Sequence, residues 1–233
     1  MSLKVDTPEN FEERTICCLV LDDSGSMSGS PIDSLNKGLK DFYKDIENDS
    51  KMSDGLEIAV VKFGQGAEIV VDPSLIYDLK IPELQANDFQ TDLNQGVRKA
   101  IDLVEDRKAY YKSTNLPYKR PWIILITDGS PTDGDVTDLA KEIEGDTKEQ
   151  KYMFLPIGVD GADMSTLQEI SGYIKNNDSK DWEQMKPMSM ESAKFGAFFK
   201  WLSASMAMVT NANEGEKVNL ADPSAWMQGF SVA

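Results

Sequence analysis

LDDSGSM, residues 21–27, lies between an apolar run over residues 16–20 and a segment with strong helical periodicity. Asp22, Ser24 and Ser26 in this stretch therefore follow a predicted strand at alternate positions and stand just before a predicted helix. Their side chains offer only oxygen, a donor set that suits Mg²⁺ or Mn²⁺ better than zinc. Aspartate, serine and glycine are also ordinary turn and cap residues. The stretch alone is therefore only a candidate cation site. The surrounding segments must decide between a cation site and an ordinary turn.

The segments on either side of residues 21–27 have the patterns of a buried strand and an amphipathic helix. Residues 15–21 are almost continuously apolar, which is typical of a strand covered on both faces of a parallel sheet. Ser30 is predicted to cap the helix, with Pro31 at its first position and Asp33 near its positive end. Residues 48–50 are predicted to end it. Its apolar residues recur at spacings of three and four and form one stripe: Ile32, Leu35, Leu39, Phe42 and Ile46.

Strand and helix patterns alternate through the rest of the chain. Residues 57–63 and 67–71 are separated by the short turn Gly64-Gln65-Gly66, so they are predicted to pair as an antiparallel hairpin at one edge of a sheet. Further strands are predicted at 121–127, 151–159 and 185–190, helices at 93–104, 136–145, 164–170 and 195–209, and loops at 72–89, 112–120 and 176–181. These patterns predict an α/β fold: a doubly wound, mostly parallel six-stranded sheet with an antiparallel edge strand and helices on both faces, Rossmann-like.

Such a fold would bring together oxygen atoms that are far apart in the sequence. In a doubly wound sheet the first strand and the strand after the crossover are neighbours, and ligands bind outside their carboxyl ends. Here these two strands end in Asp22 and Asp128. The loop before the helix at 93–104 would place Thr91 at the same edge. Taken alone, Thr91 is most simply a helix cap, with Asp92 as its rival, and Asp128 a strand-ending turn residue.

Taken together, these residues resemble a known family. Asp22, Ser24 and Ser26, then Thr91, then Asp128 match in order the metal-ion-dependent adhesion site (MIDAS) of von Willebrand factor A (VWA) domains. The resemblance spans about residues 15–209. It implies an N-terminal extension at 1–14, a VWA domain at 15–210 and a C-terminal tail at 211–233. The segment 124–134, ILITDGSPTDG, is similar to the bacterial tellurium-resistance-associated, TerY-like group.

The resemblance implies a function in binding another protein, with no catalytic activity. In the family the two serines and the threonine ligate Mg²⁺ or Mn²⁺, the aspartates often act through bound waters, and an Asp or Glu of a partner protein fills the open position. The TerY-like group implies stress-response and phospho-signalling partners. Asp23 stands where many members have a smaller neutral residue, so the local charge here differs from theirs.

Two alternatives to a binding module stay open at this point. A Mg²⁺-dependent phosphatase of the haloacid-dehalogenase type also starts from an acid after its first strand, but it requires Asp-x-Asp, and position 24 is a serine. The second alternative is a structural VWA subunit of a larger, chelatase-type assembly. A Walker-type Gly-Lys-Ser/Thr motif is absent from the sequence, which argues against an NTPase.

Composition excludes several classes of function. The 233 residues include 40 acidic and 24 basic side chains, a net charge of −16 that disfavours nucleic acid as a partner. There is no histidine, so Ser-His-Asp catalysis and histidine-based zinc or iron sites are excluded. Cys17 and Cys18 are adjacent in a predicted strand, so they should face opposite sides of the sheet as buried hydrophobic residues.

The remaining expectations concern location and the tail. Residues 1–14 are polar with no hydrophobic signal region, and residues 195–209 are too short to cross a bilayer, so we expect a cytoplasmic protein without a membrane partner. Lys112, Lys119 and Arg120 are interpreted as a solvated loop. Trp226 and Phe230 are expected to pack onto the body of the protein. The oligomeric state stays open.

Overall fold

The computed structural model describes residues 11–87, 89–176, 179–213, 218 and 220–227. The strands in these residues are β1 Thr15–Asp22, β2 Leu56–Gly64, β3 Gly66–Leu75, β4 Trp122–Thr127, β5 Met153–Val159, β6 Tyr173–Lys175, β7 Trp182–Gln184 and β8 Met188–Met190. The α-helices are α1 Ser30–Glu47, α2 Ser50–Gly55, α3 Leu93–Thr114, α4 Thr137–Lys148, α5 Met164–Glu169 and α6 Phe195–Asn211.

Six strands form one sheet in the order β3-β2-β1-β4-β5-β8. β3 is antiparallel to β2, and every other neighbouring pair is parallel. The predicted fold is therefore confirmed. The chain starts in the centre with β1, builds one side with β2 and β3, and then crosses to β4. This crossover makes β1 and β4 neighbours, with Leu21 paired to Ile126, and places the switch point of the sheet between them.

The core consists of two layers, one on each face of the sheet. Alternate residues of the buried strands face opposite layers, so Cys17 packs on the side of α1 and α6, and Cys18 on the side of α3 and α4. Both cysteines are free and fully buried, as the sequence predicts. The layer on the side of α6 also contains Trp226, which packs edge-on against Phe198. Phe230 lies outside the described residues.

Several element limits differ from the prediction for local reasons. Gly29, not Ser30, precedes α1, because its φ of 79° is a conformation that glycine adopts readily. The helix α2 was not predicted; the Asp49 carboxylate caps it by accepting hydrogen bonds from the backbone N–H groups of Lys51 and Met52. The strand β3 continues through Pro73 to Leu75, which its position at the sheet edge tolerates.

The prediction also ended α4 too early and missed a small hairpin. The helix passes through Gly145 to Lys148, and it is Gln150 that takes the left-handed backbone conformation beyond its end, with φ of 59°. The strands β6 and β7 pair on either side of the predicted 176–181 loop, of which residues 177 and 178 lie outside the described part. Three residues per strand give too little periodicity for recognition in a sequence.

The interpretation of residues 112–120 as a solvated basic loop was wrong for Lys119 and Arg120. The Lys119 ammonium donates to the backbone carbonyls of Val209, Thr210 and Ala212, at distances of 2.7–2.9 Å, and so satisfies the free carbonyls at the end of α6. Arg120 donates to the carbonyls of Thr147 and Tyr152. Lys112, at the end of α3, is exposed as expected. None of the helices in the described residues combines the length and the apolar character that crossing a bilayer requires.

Candidate metal centre

The candidate site lies where β1 and β4 end side by side. Asp22, the last residue of β1, is fully buried, and both of its carboxylate oxygens accept hydrogen bonds. Oδ1 accepts from the backbone N–H of Ser24 at 2.8 Å, and Oδ2 accepts from the hydroxyl of Thr127 on β4 at 2.5 Å. The Asp22 side chain thus joins the two central strands and orients the loop that follows β1.

The two serines of this loop continue the row of oxygens toward the loop after β4. A short 3-10 turn over Gly25–Met27, anchored by the buried Met27, turns the serine side chains to the same side. The Ser24 and Ser26 hydroxyl oxygens are 3.0 Å apart, and the Ser26 hydroxyl donates to Asp128 Oδ1 at 2.7 Å. These contacts connect residues that the sequence separates by about a hundred positions.

Thr91 approaches the same place from the opposite side. Gly129 marks the approach: a Cβ atom built there would lie 3.1 Å from Thr91 Oγ1 and 3.7 Å from Asp22 Oδ2. The Thr91 hydroxyl and the Asp22 carboxylate therefore both border the space over Gly129. The structure brings together the predicted residues Asp22, Ser24, Ser26, Thr91 and Asp128 at one edge of the sheet.

Of the two predicted caps of α3, Asp92 takes the N-cap position and Thr91 does not. The Asp92 side chain nevertheless makes no capping hydrogen bond to the helix. Asp133, from the loop after β4, instead accepts hydrogen bonds from the backbone N–H groups of Asn94 and Gln95. The Thr91 side chain is thus not used by the helix and faces the candidate site.

The chemistry and spacing of these oxygens fit a small hard cation. Adjacent ligands of an octahedral ion with bonds of about 2.1 Å lie roughly 3 Å apart. The Ser24–Ser26 and Ser26–Asp128 oxygen pairs, at 3.0 and 2.7 Å, are close to that separation. The described residues contain no group of three or more His, Cys, Asp or Glu side chains that could hold a metal ion.

The electrostatics of the site favour a bound cation. Burial raises the pKa of Asp22 to about 6, against the opposing effect of its hydrogen bonds, and the nearby Asp128 carboxylate adds to the rise. Burial also raises the pKa of Asp128, and the Asp160 carboxylate contributes. A positive ion among these carboxylates would remove the cost of keeping them ionised.

The structure shows two contributors that the sequence analysis missed. Lys62 on β2 forms an ion pair of 3.1 Å with the buried Asp23, so the extra acid of the loop is neutralised. In the sequence, the signal for the role of Lys62 was a single lysine within the mostly apolar stretch 57–63. Thr127 binds Asp22, and its signal was a single polar residue at the end of an otherwise apolar strand.

Comparison with solved structures supports the fold. The mussel byssus proximal thread matrix protein 1, in a form with a zinc-occupied MIDAS motif, is 17% identical with a TM-score of 0.51, over 84% of this chain and 48% of that chain. The ArnB paralog VWA2 of Sulfolobus acidocaldarius is 17% identical with a TM-score of 0.52, over 83% of this chain and 45% of that one. This chain thus spans about half the length of either structure.

A third solved structure matches this chain over nearly the full length of both chains. The vWF domain of the type V pili tip protein Mfa5 from Porphyromonas gingivalis is 12% identical with a TM-score of 0.57, and the match covers 89% of this chain and 99% of that chain. A search of curated protein sequences found no match. At these identities the structural likeness establishes the fold alone.

The family is shown by the sequence match to a family model. The model, described as the von Willebrand factor type A domain, matches residues 18–191. The matched region contains β1 from Cys18 to Asp22, all of β4 and all five residues of the candidate site. The predicted limits of the domain, residues 15 and 210, stay a prediction. This chain belongs to the von Willebrand factor type A domain family.

Proposed function

We propose that this chain is a metal-dependent protein-binding module without catalytic activity. In this proposal Ser24, Ser26 and Thr91 hold Mg²⁺ or Mn²⁺ through their hydroxyls, and Asp22 and Asp128 support the ion, in part through water. The observation that carries it is the convergence of these oxygens, from three separate loops, on the edge between β1 and β4. When bound, the cation supplies a positive charge that attracts a carboxylate.

The arrangement of charge supports capture of an Asp or Glu from a partner protein. A site whose direct protein ligands are mostly neutral hydroxyls leaves the positive charge of the ion uncompensated. Lys62 neutralises Asp23, so this buried acid does not reduce the attraction. The net charge of −16 opposes long-range approach of an acidic partner, so the ion acts at contact distance.

An exposed aromatic side chain near Thr91 in the sequence also favours protein contact. Phe89, two residues before Thr91, is fully exposed. Aromatic side chains are enriched among the residues that contribute most to protein interfaces, because they bury a large area and lose little conformational entropy. A partner segment that places an apolar side chain next to its carboxylate would engage both Phe89 and the ion.

The contacts of the two adjacent acids argue against the phosphatase alternative. A nucleophilic aspartate needs an exposed oxygen, but Asp22 is fully buried with both oxygens accepting hydrogen bonds. Asp23 is paired with Lys62 and does not replace the second acid of an Asp-x-Asp motif. Hydrolysis of a generic phosphate ester with Mg²⁺ that is lost in Asp22→Asn would overturn this part of the proposal.

Two narrower statements are predictions. From the likeness of segment 124–134 we propose the TerY-like, tellurium-resistance-associated type, and from the lack of a hydrophobic signal region in residues 1–14 we propose a cytoplasmic location. If the chain is a structural subunit, a stable, stoichiometric complex should survive mild purification. If it captures a partner transiently through the ion, the complex should dissociate when a chelator is added. Affinity purification with and without EDTA separates these two outcomes.

The experiment that tests the proposal is a calorimetric titration of chelator-treated protein with Mn²⁺ and then Mg²⁺. We expect saturable one-site binding that is weakened in Ser26→Ala and in Thr91→Val. The exposed Ser130, also in the loop after β4, provides the matched control, and Ser130→Ala should bind like the wild type. Binding that is indifferent to the first two variants would show that the site is elsewhere.

A further inference from the structure

Thr91 belongs to a segment without regular secondary structure. Between residue 79 and the start of α3, the described residues form neither helix nor strand. Of the other candidate ligands, Asp22 ends β1 and Asp128 directly follows β4, and the backbones of both strands are held in the sheet. Ser24 and Ser26 follow within four residues of Asp22. The position of the Thr91 hydroxyl therefore depends on contacts outside the sheet.

Thr132, in the loop after β4, binds both backbone groups of Thr91. The Thr91 N–H donates to the Thr132 hydroxyl oxygen at 2.8 Å, and the Thr132 N–H donates to the Thr91 carbonyl at 2.9 Å. Because Thr132 is only four residues after Asp128, this pair of bonds ties the Thr91 segment to the loop that carries another candidate ligand.

Asp133 extends the same connection to the helix after Thr91. Its carboxylate accepts from the backbone N–H groups of Asn94 and Gln95, at 3.2 and 3.0 Å, and from the Asn94 side chain at 3.1 Å. A carboxylate at a helix N-terminus satisfies free N–H groups and favours the positive end of the helix dipole. The cap that α3 lacks from Asp92 is thus supplied by the loop after β4.

Asp92 holds the other side of the segment. Its N–H donates to the Gly64 carbonyl at 2.9 Å, and its carboxylate accepts from the Gly66 N–H at 2.8 Å. Both glycines belong to the β2–β3 hairpin. Thr91 is therefore fastened between this hairpin and the loop after β4, and only the latter leads to Asp128.

We infer that Thr132 and Asp133 are positioning residues of the metal centre, which set the place of the Thr91 hydroxyl relative to Asp128. This inference rests on the proposed function. It also gives a physical role to Thr132 and Asp133, two residues of the segment 124–134 that is similar to the TerY-like group. Thr132 acts through Thr91, and Asp133 acts through the start of α3. Neither residue needs to touch the ion.

A double-mutant cycle with Mn²⁺ as the probe tests this inference. Thr132→Val removes the oxygen that accepts from Thr91 and keeps the shape of the side chain, whereas Thr132→Ser keeps that oxygen. We expect Thr132→Val to lower Mn²⁺ affinity about three- to tenfold, the effect of one hydrogen bond, and Thr132→Ser to stay within about twofold of the wild type. In a Thr91→Val background, Thr132→Val should change affinity by less than about twofold, because its effect passes through the Thr91 hydroxyl.

Two outcomes would overturn this inference and leave the proposed function intact. One is unchanged Mn²⁺ affinity in Thr132→Val when Thr91→Val weakens binding. The other is an equal loss of affinity from Thr132→Val in the wild-type and Thr91→Val backgrounds, which would indicate a general structural effect. A wild-type protein that binds neither Mn²⁺ nor Mg²⁺ would overturn the proposed function as well, so the two failures are distinguishable.

A second measurement covers the case in which Thr132→Val does not fold. Asp133→Asn keeps the shape of the cap and removes its charge, and thermal unfolding of the metal-free protein shows whether the fold is retained. We expect a reduction of Mn²⁺ affinity of about two- to fivefold, with faster amide hydrogen exchange at residues 94 and 95. Faster exchange there with unchanged Mn²⁺ affinity would refute the role of Asp133.

Discussion

Ser26 and Asp128 are joined by a hydrogen bond of 2.7 Å, although 102 positions separate them in the sequence. The bond exists because β1 and β4 are neighbours in the sheet and end at the same edge. It connects the loop after β1 to the loop after β4, and the contact between Thr91 and Gly129 adds the third segment. The candidate metal centre therefore exists because the strand order places these loops side by side. The following predictions test this centre and its surroundings.

Gly129→Ala should reduce metal affinity. The added methyl group would lie 3.1 Å from Thr91 Oγ1 and 3.3 Å from its Cγ2, so the threonine must move away. We expect Mn²⁺ affinity to fall about tenfold, an amount typical of a disturbed ligand environment. Gly145→Ala in α4, where the new methyl group meets no atom within 4 Å, is the control and should leave affinity unchanged. Calorimetry of both variants gives the comparison.

Metal binding should weaken as the pH falls through about 6. The pKa of Asp22 is raised to about 6 by burial, so its proton competes with the ion at a higher pH than an ordinary aspartate would allow. The folding stability of the metal-free protein changes with pH in the opposite direction. A carboxyl group whose pKa is higher in the folded than in the unfolded state stabilises the fold at low pH. This stabilisation is lost as the pH rises from about 4 to about 6. Titrations with Mn²⁺ at pH 5, 6 and 7.5 measure the first effect. A constant affinity over this range would contradict the prediction.

Lys62→Met should destabilise the protein through Asp23. The variant leaves the Asp23 carboxylate, which is 1% exposed, without its ion pair. Because Lys62 is itself partly exposed, we expect a loss of about 1–3 kcal/mol in the free energy of unfolding. The double variant Asp23→Asn/Lys62→Met should recover most of the loss, since position 23 then carries no buried charge. Urea unfolding of the metal-free proteins measures both. A double variant as unstable as Lys62→Met would show that the pair is not the cause.

Phe89→Ser should impair partner capture without affecting the ion. Phe89 is fully exposed two residues before Thr91, so its replacement removes apolar surface and changes no core contact. Mg²⁺-dependent recovery of partner proteins from a lysate should fall, while Mn²⁺ affinity stays within about twofold of wild type. Tyr77→Ser is the control, because Tyr77 is also exposed but contacts Asp54, ahead of β2 at the opposite end of the sheet. Equal capture by Phe89→Ser and wild type would remove Phe89 from the interface.

Cys17 and Cys18 should resist alkylation in the folded protein. Burial raises the pKa of the Cys18 thiol to about 12 and that of Cys17 further, so almost no thiolate is present at pH 8. Iodoacetamide should label neither cysteine under native conditions and both after unfolding in guanidinium. The labelling rate at increasing guanidinium concentration then reports the population of unfolded protein. Rapid labelling of the native protein would show that β1 is accessible.

By itself the sequence determined the fold class, the antiparallel hairpin at one edge and the neighbouring positions of β1 and β4, and it predicted the five candidate ligands. Periodicity is a local property, so the buried strands and the amphipathic face of α1 were recognisable without coordinates. Topological rules then required the ends of β1 and β4 to be neighbours, which placed Asp22 beside Asp128 before any distance was known.

Only the tertiary structure decided the partners of several polar side chains, both at this edge and at the opposite end of the sheet. Asp133 capping α3, Lys62 neutralising Asp23, and Lys119 binding the end of α6 each join segments far apart in the chain. In the sequence alone, Asp133 resembles an ordinary turn residue, Lys62 a lone charge in a strand, and Lys119 part of a solvated loop. The physical reason is that a polar side chain takes as its partner whichever unsatisfied group the fold places within hydrogen-bonding distance. That group is specified by the packing of the whole chain and not by neighbouring residues.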